Sequence, residues 1–458
     1  MGHADSAVPT PLETVANLGE IDPARSRHMW RRSGVLVREG LVVVGTWNGE
    51  VVAFDVNGSE TNDDGDGVAD STTTDHSNST AGGTNTDDGI LAERWRRSFD
   101  AHPVTLVGLD GAIGVGCRGG AGTIAALDPA DGSERWSYDT TADVGESVKD
   151  SVFYWPYVVG LVALPGGGCV GAIRRCERDG DDRRWQSAIL AFDAGGDVRW
   201  RYETDASPIA IDRDAAGERV AVGYNRCFGD HQHGLVVLDA TSGDVDWNWD
   251  PGTEGDRRVG DVAFDRETGA LAVTSHGDFC GYLFDPDGGA AGSGTGRERW
   301  RVELAIEREL ADQTLYAYPN HAAAHDGRVA FVTGNTYARE SRETERRHPD
   351  EHTVFGYDAN GERRWTTDSG GFVHELSTGD STVVLPTAQN FRVRDTDTHS
   401  VRTIDLADGS ADVAPVEGIV TAASTDGALV AAVEEPVAYH DGGRTLGSYA
   451  LHVGRLDG

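Results

Sequence analysis

The side chains best suited to chemistry lie in short segments that each follow an apolar run. They read TWNG with Trp47, GCRGG with Arg118, IRRCERDGDDRRW with Arg174 and Arg175, YNRCFGDHQHG with Asn225 and Arg226, SHGDF with His276, GNTYARES with Asn335 and Arg339, and AQNFRV with Asn390 and Arg392. Lys149, His321 and His374 stand near the entries to further apolar runs. A guanidinium presents a planar fork of donors that matches carboxylate or phosphate. The set Trp47, Arg118, Lys149, Arg175, Arg226, His276, His321 and His374 therefore predicts a funnel that takes an anionic ligand or an acidic peptide. The competing reading pairs these arginines with loop carboxylates such as Glu177, Asp179 and Asp181, as solvated ion pairs that are common and weak.

Other chemistries find less support. Cys117, Cys176, Cys227 and Cys280 recur at similar places along the chain, with Asp230, His231 and His233 beside one of them. A zinc site needs four ligands on one ion, and no C-x-x-C spacing supplies them. The cysteines read as small buried side chains, and no metal is expected. The DGDG at Asp64 to Gly67 lacks the closing Glu of a calcium loop. No phosphate loop or H-E-x-x-H is present, so the chain reads as a binding protein rather than an enzyme.

Acidic residues outnumber basic ones by 76 to 40, for a net charge of -36, and Lys149 is the only lysine. Such a field keeps a protein soluble where salt screens it, which predicts salt adaptation of the halophilic archaeal kind. It argues against general nucleic-acid binding, which needs clustered Lys and Arg to neutralise phosphates. The first thirty residues hold no apolar stretch behind a basic start, and no apolar run reaches the ~20 residues that cross a bilayer. The expectation is a cytoplasmic protein without membrane insertion, and five cysteines agree with a reducing compartment.

These loops need a scaffold, and self-similarity supplies it. An apolar run ends in Asp, passes a Gly-bearing turn and reaches Trp. The pairs are Asp55 with Trp95, Asp128 with Trp136, Asp193 with Trp200, Asp239 with Trp247, Asp285 with Trp300, and Asp358 with Trp365. Asp405 marks a copy without its Trp, and Asp457 a copy cut off by the C-terminus. Asp bonds its own backbone two residues on, Gly supplies positive φ, and Trp offers a broad face with one N–H donor for docking on a neighbour. Each unit holds two more apolar runs and so predicts a four-stranded sheet. Such sheets bury both faces only by stacking radially.

The Asp…Gly…Trp signature resembles the quinoprotein-type (PQQ-like) repeat of quinoprotein alcohol dehydrogenases and of BamB-kind outer-membrane assembly lipoproteins, from about Trp30 onward. The resemblance implies an all-β, single eight-bladed β-propeller over residues 1–458, with seven blades as the alternative. Residues 9–31 are expected to supply the outer strand of the last blade, and Gly34 to Arg38 the first inner strand. Residues 56–89, rich in Asp, Thr, Gly and Ser, read as a disordered acidic insert in the first blade. Quinoprotein dehydrogenases use an adjacent cysteine pair, a stacking Trp and a calcium site. This chain has no adjacent cysteines, so neither PQQ nor Ca2+ is expected. The expected role is a scaffold for a protein or peptide partner. The alternative is a PQQ-dependent dehydrogenase-like enzyme or an anionic small-molecule binder.

Overall fold

Apolar runs buried on both faces require a sheet with a sheet on either side, and the chain folds accordingly. The computed structural model describes residues 12–25, 30–56, 91–180, 182–252, 257–285, 296–388, 396–439 and 443–456. The expected insert at 56–89 lies outside these residues apart from Val56, as do Asp457, Asn390 and Arg392. Strand is the dominant element of the described residues, which hold one short α-helix at Thr141–Val144.

Most strands form consecutive antiparallel four-stranded meanders, named here by their turn aspartates; the Asp358 unit gains a fifth strand, Arg308–Leu310, and Ala24–Arg25 pairs parallel with Val437–Ala438 in a small separate sheet. The Asp239 unit is typical: Ser207–Arg213 pairs with Arg219–Arg226, then Leu235–Asp239, then Val245–Trp249. A single residue pair, Tyr157 with Arg118, joins the sheets of the Asp128 and Asp193 units. Burial follows position. Second strands such as Leu41–Gly45, Ala112–Arg118 and Leu271–Ser275 are buried at every residue. The outer strand Glu134–Tyr138 alternates, hiding Trp136 and exposing its neighbours.

Neighbouring units share apolar clusters. Val43, Ala53 and Trp95 pack on Ile113, Val115 and Leu127, and Val170, Ile189 and Trp200 pack on Val220, Val236 and Leu238. Each large aliphatic side chain buried this way contributes roughly 1.5–3 kcal/mol. The same packing joins the chain's ends: Val35, Val42 and Val52 share a cluster with Ala422, Ala431, Leu451 and Val453.

The terminal unit is completed by the N-terminal segment. Ile419–Thr425, Leu429–Glu435 and Ala450–Arg455 form three of its strands, and Glu13–Asn17 pairs antiparallel with Ala450–Arg455 as the fourth. Gly34–Arg38 is the inner strand of the Asp55 unit. Trp30 precedes that strand and lies on neither.

The repeat residues act between units. Asp239 Oδ1 accepts from the amides of Thr241 and Ser242 at 2.8 Å, closing its own turn. Trp200 Nε1 donates to Ala240 O at 2.9 Å in the next unit's turn. Trp95 reaches Pro129 O, Trp300 reaches Ala359 O and Trp365 reaches Leu406 O in the same way. Gly243, at φ 78°, lies flat beneath Trp200, where a Cβ would sit 2.7 Å from the indole. The turn glycine thus serves the neighbour's Trp as well as its own turn.

Candidate functional site

In a four-stranded meander the connection from second to third strand, and the one from outer strand to the next inner strand, emerge on one face. Two long hairpins build that face. In the Asp193 unit Cys169–Asp179 and Asp182–Phe192 stay paired from Cys169 with Phe192 to Asp179 with Asp182. Eleven residues a strand span about 36 Å, so the hairpin tip stands well beyond the packed core. In the Asp358 unit Gln313–His325 pairs with Arg328–Ala338. The backbone then turns at Arg342, with φ 61°.

Between these hairpins and the loop after Arg226 opens a pocket of about 750 Å³. Among the described residues, Arg183, Arg184, Arg226 and Arg342 line it, together with Trp185, Phe228 and a single carboxylate, Asp205. That carboxylate is already engaged, accepting from the amides of Asp230 at 2.6 Å and His231 at 2.9 Å. Among the described residues no carboxylate bridges Arg183, Arg226, Arg257 or Arg342. Burial pushes the Arg226 guanidinium down to about 10, with Arg257, Arg183 and Arg342 acting in the same direction. The cations rest on tyrosines: Arg257 lies 4.4 Å from the Tyr318 ring centre and Arg342 5.4 Å from that of Tyr337. Behind them His276 is buried, with Nδ1 3.1 Å from Asn225 Nδ2. Burial first, and then Arg257, hold its imidazole well below the ordinary range, so it is neutral.

The other expected site residues lie elsewhere. Arg175 is buried, donating Nε to Val144 O at 2.5 Å and bridging Glu177, so it is a structural ion pair outside the pocket. Trp47 stacks on His102 at 3.9 Å and 10°, and His102 faces Trp155 at 5.5 Å. Arg118 donates to Val152 O at 2.8 Å and covers the Tyr157 ring at 4.6 Å. Lys149 sits 5.3 Å from the Tyr154 ring centre. His321 is held by Val373 O at 2.8 Å, and His374 meets Phe372 edge-on at 5.1 Å. Arg31 ties several units together, donating to Thr105 Oγ1 at 2.9 Å and Val159 O at 3.3 Å and bridging Glu375. His321 acts electrostatically on His276 together with Arg257 and Arg226, while Trp47, His102, Trp155 and Arg118 form another group. Arg226 is in the pocket, His276 lies behind it, and Arg183, Arg184, Arg257 and Arg342 were missed.

The five cysteines are buried and none is disulfide-bonded, and burial pushes the thiols of Cys117 and Cys169 up to about 12. Among the described residues no group of three or more His, Cys, Asp or Glu side chains could hold a metal ion.

Residues 87–280 match a PQQ-type repeat family described as outer membrane protein assembly factor BamB. The fold is that of a β-propeller, and the PQQ-type repeat match lies within it. Among solved structures, the quinohemoprotein alcohol dehydrogenase of Comamonas testosteroni is 13% identical, with a TM-score of 0.54 over 97% of this chain and 76% of that one. BamB of Moraxella catarrhalis is 14% identical, with a TM-score of 0.42 over 82% of this chain and 97% of that one. Sqt1 of Saccharomyces cerevisiae is 10% identical, with a TM-score of 0.41 over 89% and 100%. No curated protein matches the chain. At such identities the likeness speaks to the propeller fold alone. On this propeller the arginine pocket occupies the loop-bearing face, and the Asp…Gly turns occupy the opposite one.

Proposed function

We propose that this propeller is a non-catalytic scaffold that holds a protein or peptide partner on its loop-bearing face, through acidic groups of the partner entering the arginine pocket. One observation carries the reading: on a chain of net charge -36, guanidiniums from three different units line one pocket that holds, among the described residues, a single and already engaged carboxylate. Charge of one sign gathered in a cleft recruits the opposite sign and raises its rate of encounter. We further infer eight blades, which the apolar packing of each unit on the next and of the Asp55 unit on the terminal unit supports.

The reading assigns no role to PQQ or calcium. Cys117, Cys169, Cys176, Cys227 and Cys280 include no adjacent pair, so the residues present do not fit the quinoprotein pattern. The dehydrogenase alternative keeps one favourable feature, the flat Trp47, His102 and Trp155 column, which could stack a ring. Tagged full-length protein and its R226E/R342E variant, each used to capture partners from the native lysate, test the proposal. The expected result is one stoichiometric protein retained by the parent and lost by the variant. Equal capture by both, or dye-linked oxidase activity on adding quinone and calcium, would overturn it.

A further inference from the structure

Beyond saying that the pocket attracts acidic groups, its geometry says which acidic group. We propose that the arginine pocket is a phosphoryl-binding site, taking a phosphate monoester or pyrophosphate rather than a lone carboxylate. The inference rests on the pocket being the partner-binding site and names the group recognised there.

The argument begins with counting charge and donors. A carboxylate carries one negative charge and is satisfied by one guanidinium fork. Arg183, Arg226 and Arg342 line this pocket without a bridging carboxylate among the described residues, and Arg257 is close enough for its charge to act on Arg226. A single carboxylate would leave most of that charge facing itself. A phosphate monoester brings close to two charges and three strong acceptor oxygens, so several forks can close on one group. Because the chain has a single lysine, the choice of Arg over Lys says nothing by itself. The convergence does, since these arginines come from units far apart in sequence.

The surroundings support a built site rather than a solvated patch. The tyrosine floor fixes the cations. Tyr316, Tyr318 and Tyr337 pack with ring centres 5.3 to 5.9 Å apart, and Arg257 and Arg342 lie on their faces. Rings of this kind hold a guanidinium in place without neutralising it. Arg226 is half-buried yet has no carboxylate partner among the described residues, a costly arrangement for a cation unless an anion completes it. The volume of about 750 Å³ exceeds what a phosphate alone would fill and lies in the range of sites for larger ligands. Trp185 and Phe228 on the rim give the carrier of the phosphate, a peptide or a nucleotide, an aromatic surface to rest on.

Isothermal titration calorimetry on the full chain tests this with inorganic pyrophosphate, a phosphoserine peptide, the same peptide with Ser or Glu in its place, an adenine nucleotide and citrate. The expectation is binding of pyrophosphate and at least one phosphorylated carrier, weakened about tenfold or more by R226A or R342A and by added salt. Arg135→Ala, on the outer strand Glu134–Tyr138 beside the Asp128 turn, should leave binding unchanged. The tighter of phosphopeptide and nucleotide identifies the natural source of the phosphoryl group. Equal affinity for citrate, the Glu peptide and the phosphopeptide would overturn the phosphoryl assignment and leave the acidic-partner reading intact. Loss of partner capture in R226E/R342E with no phosphoryl compound bound would do the same. Unaltered capture together with no anion bound would remove both. Unchanged thermal melts for R226A and R342A separate lost binding from lost folding.

Discussion

Replacing Glu435 by Ala should destabilise the propeller by about 3–5 kcal/mol, the ordinary cost of stranding one partner of a buried ion pair. Glu435 lies on the second strand of the terminal unit with a fully buried side chain, and Arg32, just before the inner strand of the Asp55 unit, is 6% exposed. Arg32 Nε donates to Glu435 Oε2 at 2.5 Å, while Ser33 and Thr421 hydroxyls donate to Oε1 at 3.1 and 2.5 Å. Arg32 Nη1 also holds Asp22 O at 2.7 Å, tying down the N-terminal segment. Truncating Glu435 therefore leaves a buried guanidinium uncompensated and the Thr421 hydroxyl without its acceptor, while Ser33 keeps Tyr449 as a partner. Replacing both charges, as in R32M/E435M, removes the stranded charge and should cost less than E435A alone, by at least about 1 kcal/mol. Equilibrium urea unfolding at fixed ionic strength reads these differences from the midpoints. The reasoning fails if E435A costs under about 1 kcal/mol, or if the two single changes simply add in the double variant.

Four further outcomes follow from the same structure. Trp200→Ala should cost about 3–5 kcal/mol in urea unfolding, and Trp200→Phe about 1 kcal/mol because Ala240 O loses its donor. Gly243→Ala should destabilise through both its positive φ and the indole beneath the new methyl, and a neutral midpoint would refute that account. Burial works to raise the Glu434 carboxyl, but hydrogen bonds from His452 and the Gly418 amide outweigh it and hold the group below its ordinary range. A depressed carboxylate stabilises the fold above its unfolded value of about 4.3 and loses that contribution as pH falls through the folded value. Urea midpoints should therefore drop as the pH falls below about 4.3, with a shallower drop in E434Q. Cys117 and Cys169, with thiols pushed up to about 12 by burial, should react with a thiol reagent at pH 8 only as fast as the protein unfolds.

What was legible in the sequence was what neighbouring residues decide among themselves. The Asp239, Gly243 and Trp247 spacing encodes a turn and its strand, because the carboxylate caps amides two and three residues on. The strand at Gly34–Arg38 was legible as the first apolar run of the Asp55 unit, and Glu13–Asn17 supplies a fourth strand to the terminal unit, inside the expected 9–31 segment. The pocket was less legible. Arg175 and Arg183 belong to the same quoted segment, yet one pairs with Glu177 beneath the hairpin and the other lines the cleft. Which of them faces the cleft depends on the hairpin staying paired out to Asp179 and Asp182, a register that the local sequence does not state. Arg342 joins them through a long connection in the Asp358 unit, a meeting set by tertiary structure. His321 looked like a site residue, but a carbonyl across the unit boundary claims it.

Hydrogen–deuterium exchange of the full chain with its captured partner, compared with the free chain, tests the central claim most directly. Protection should concentrate at Arg183 to Gln186, Arg226 to Gly229 and the Arg342 turn. Protection confined to the Asp128 to Gly132 and Asp239 to Gly243 turns on the opposite face would contradict the account.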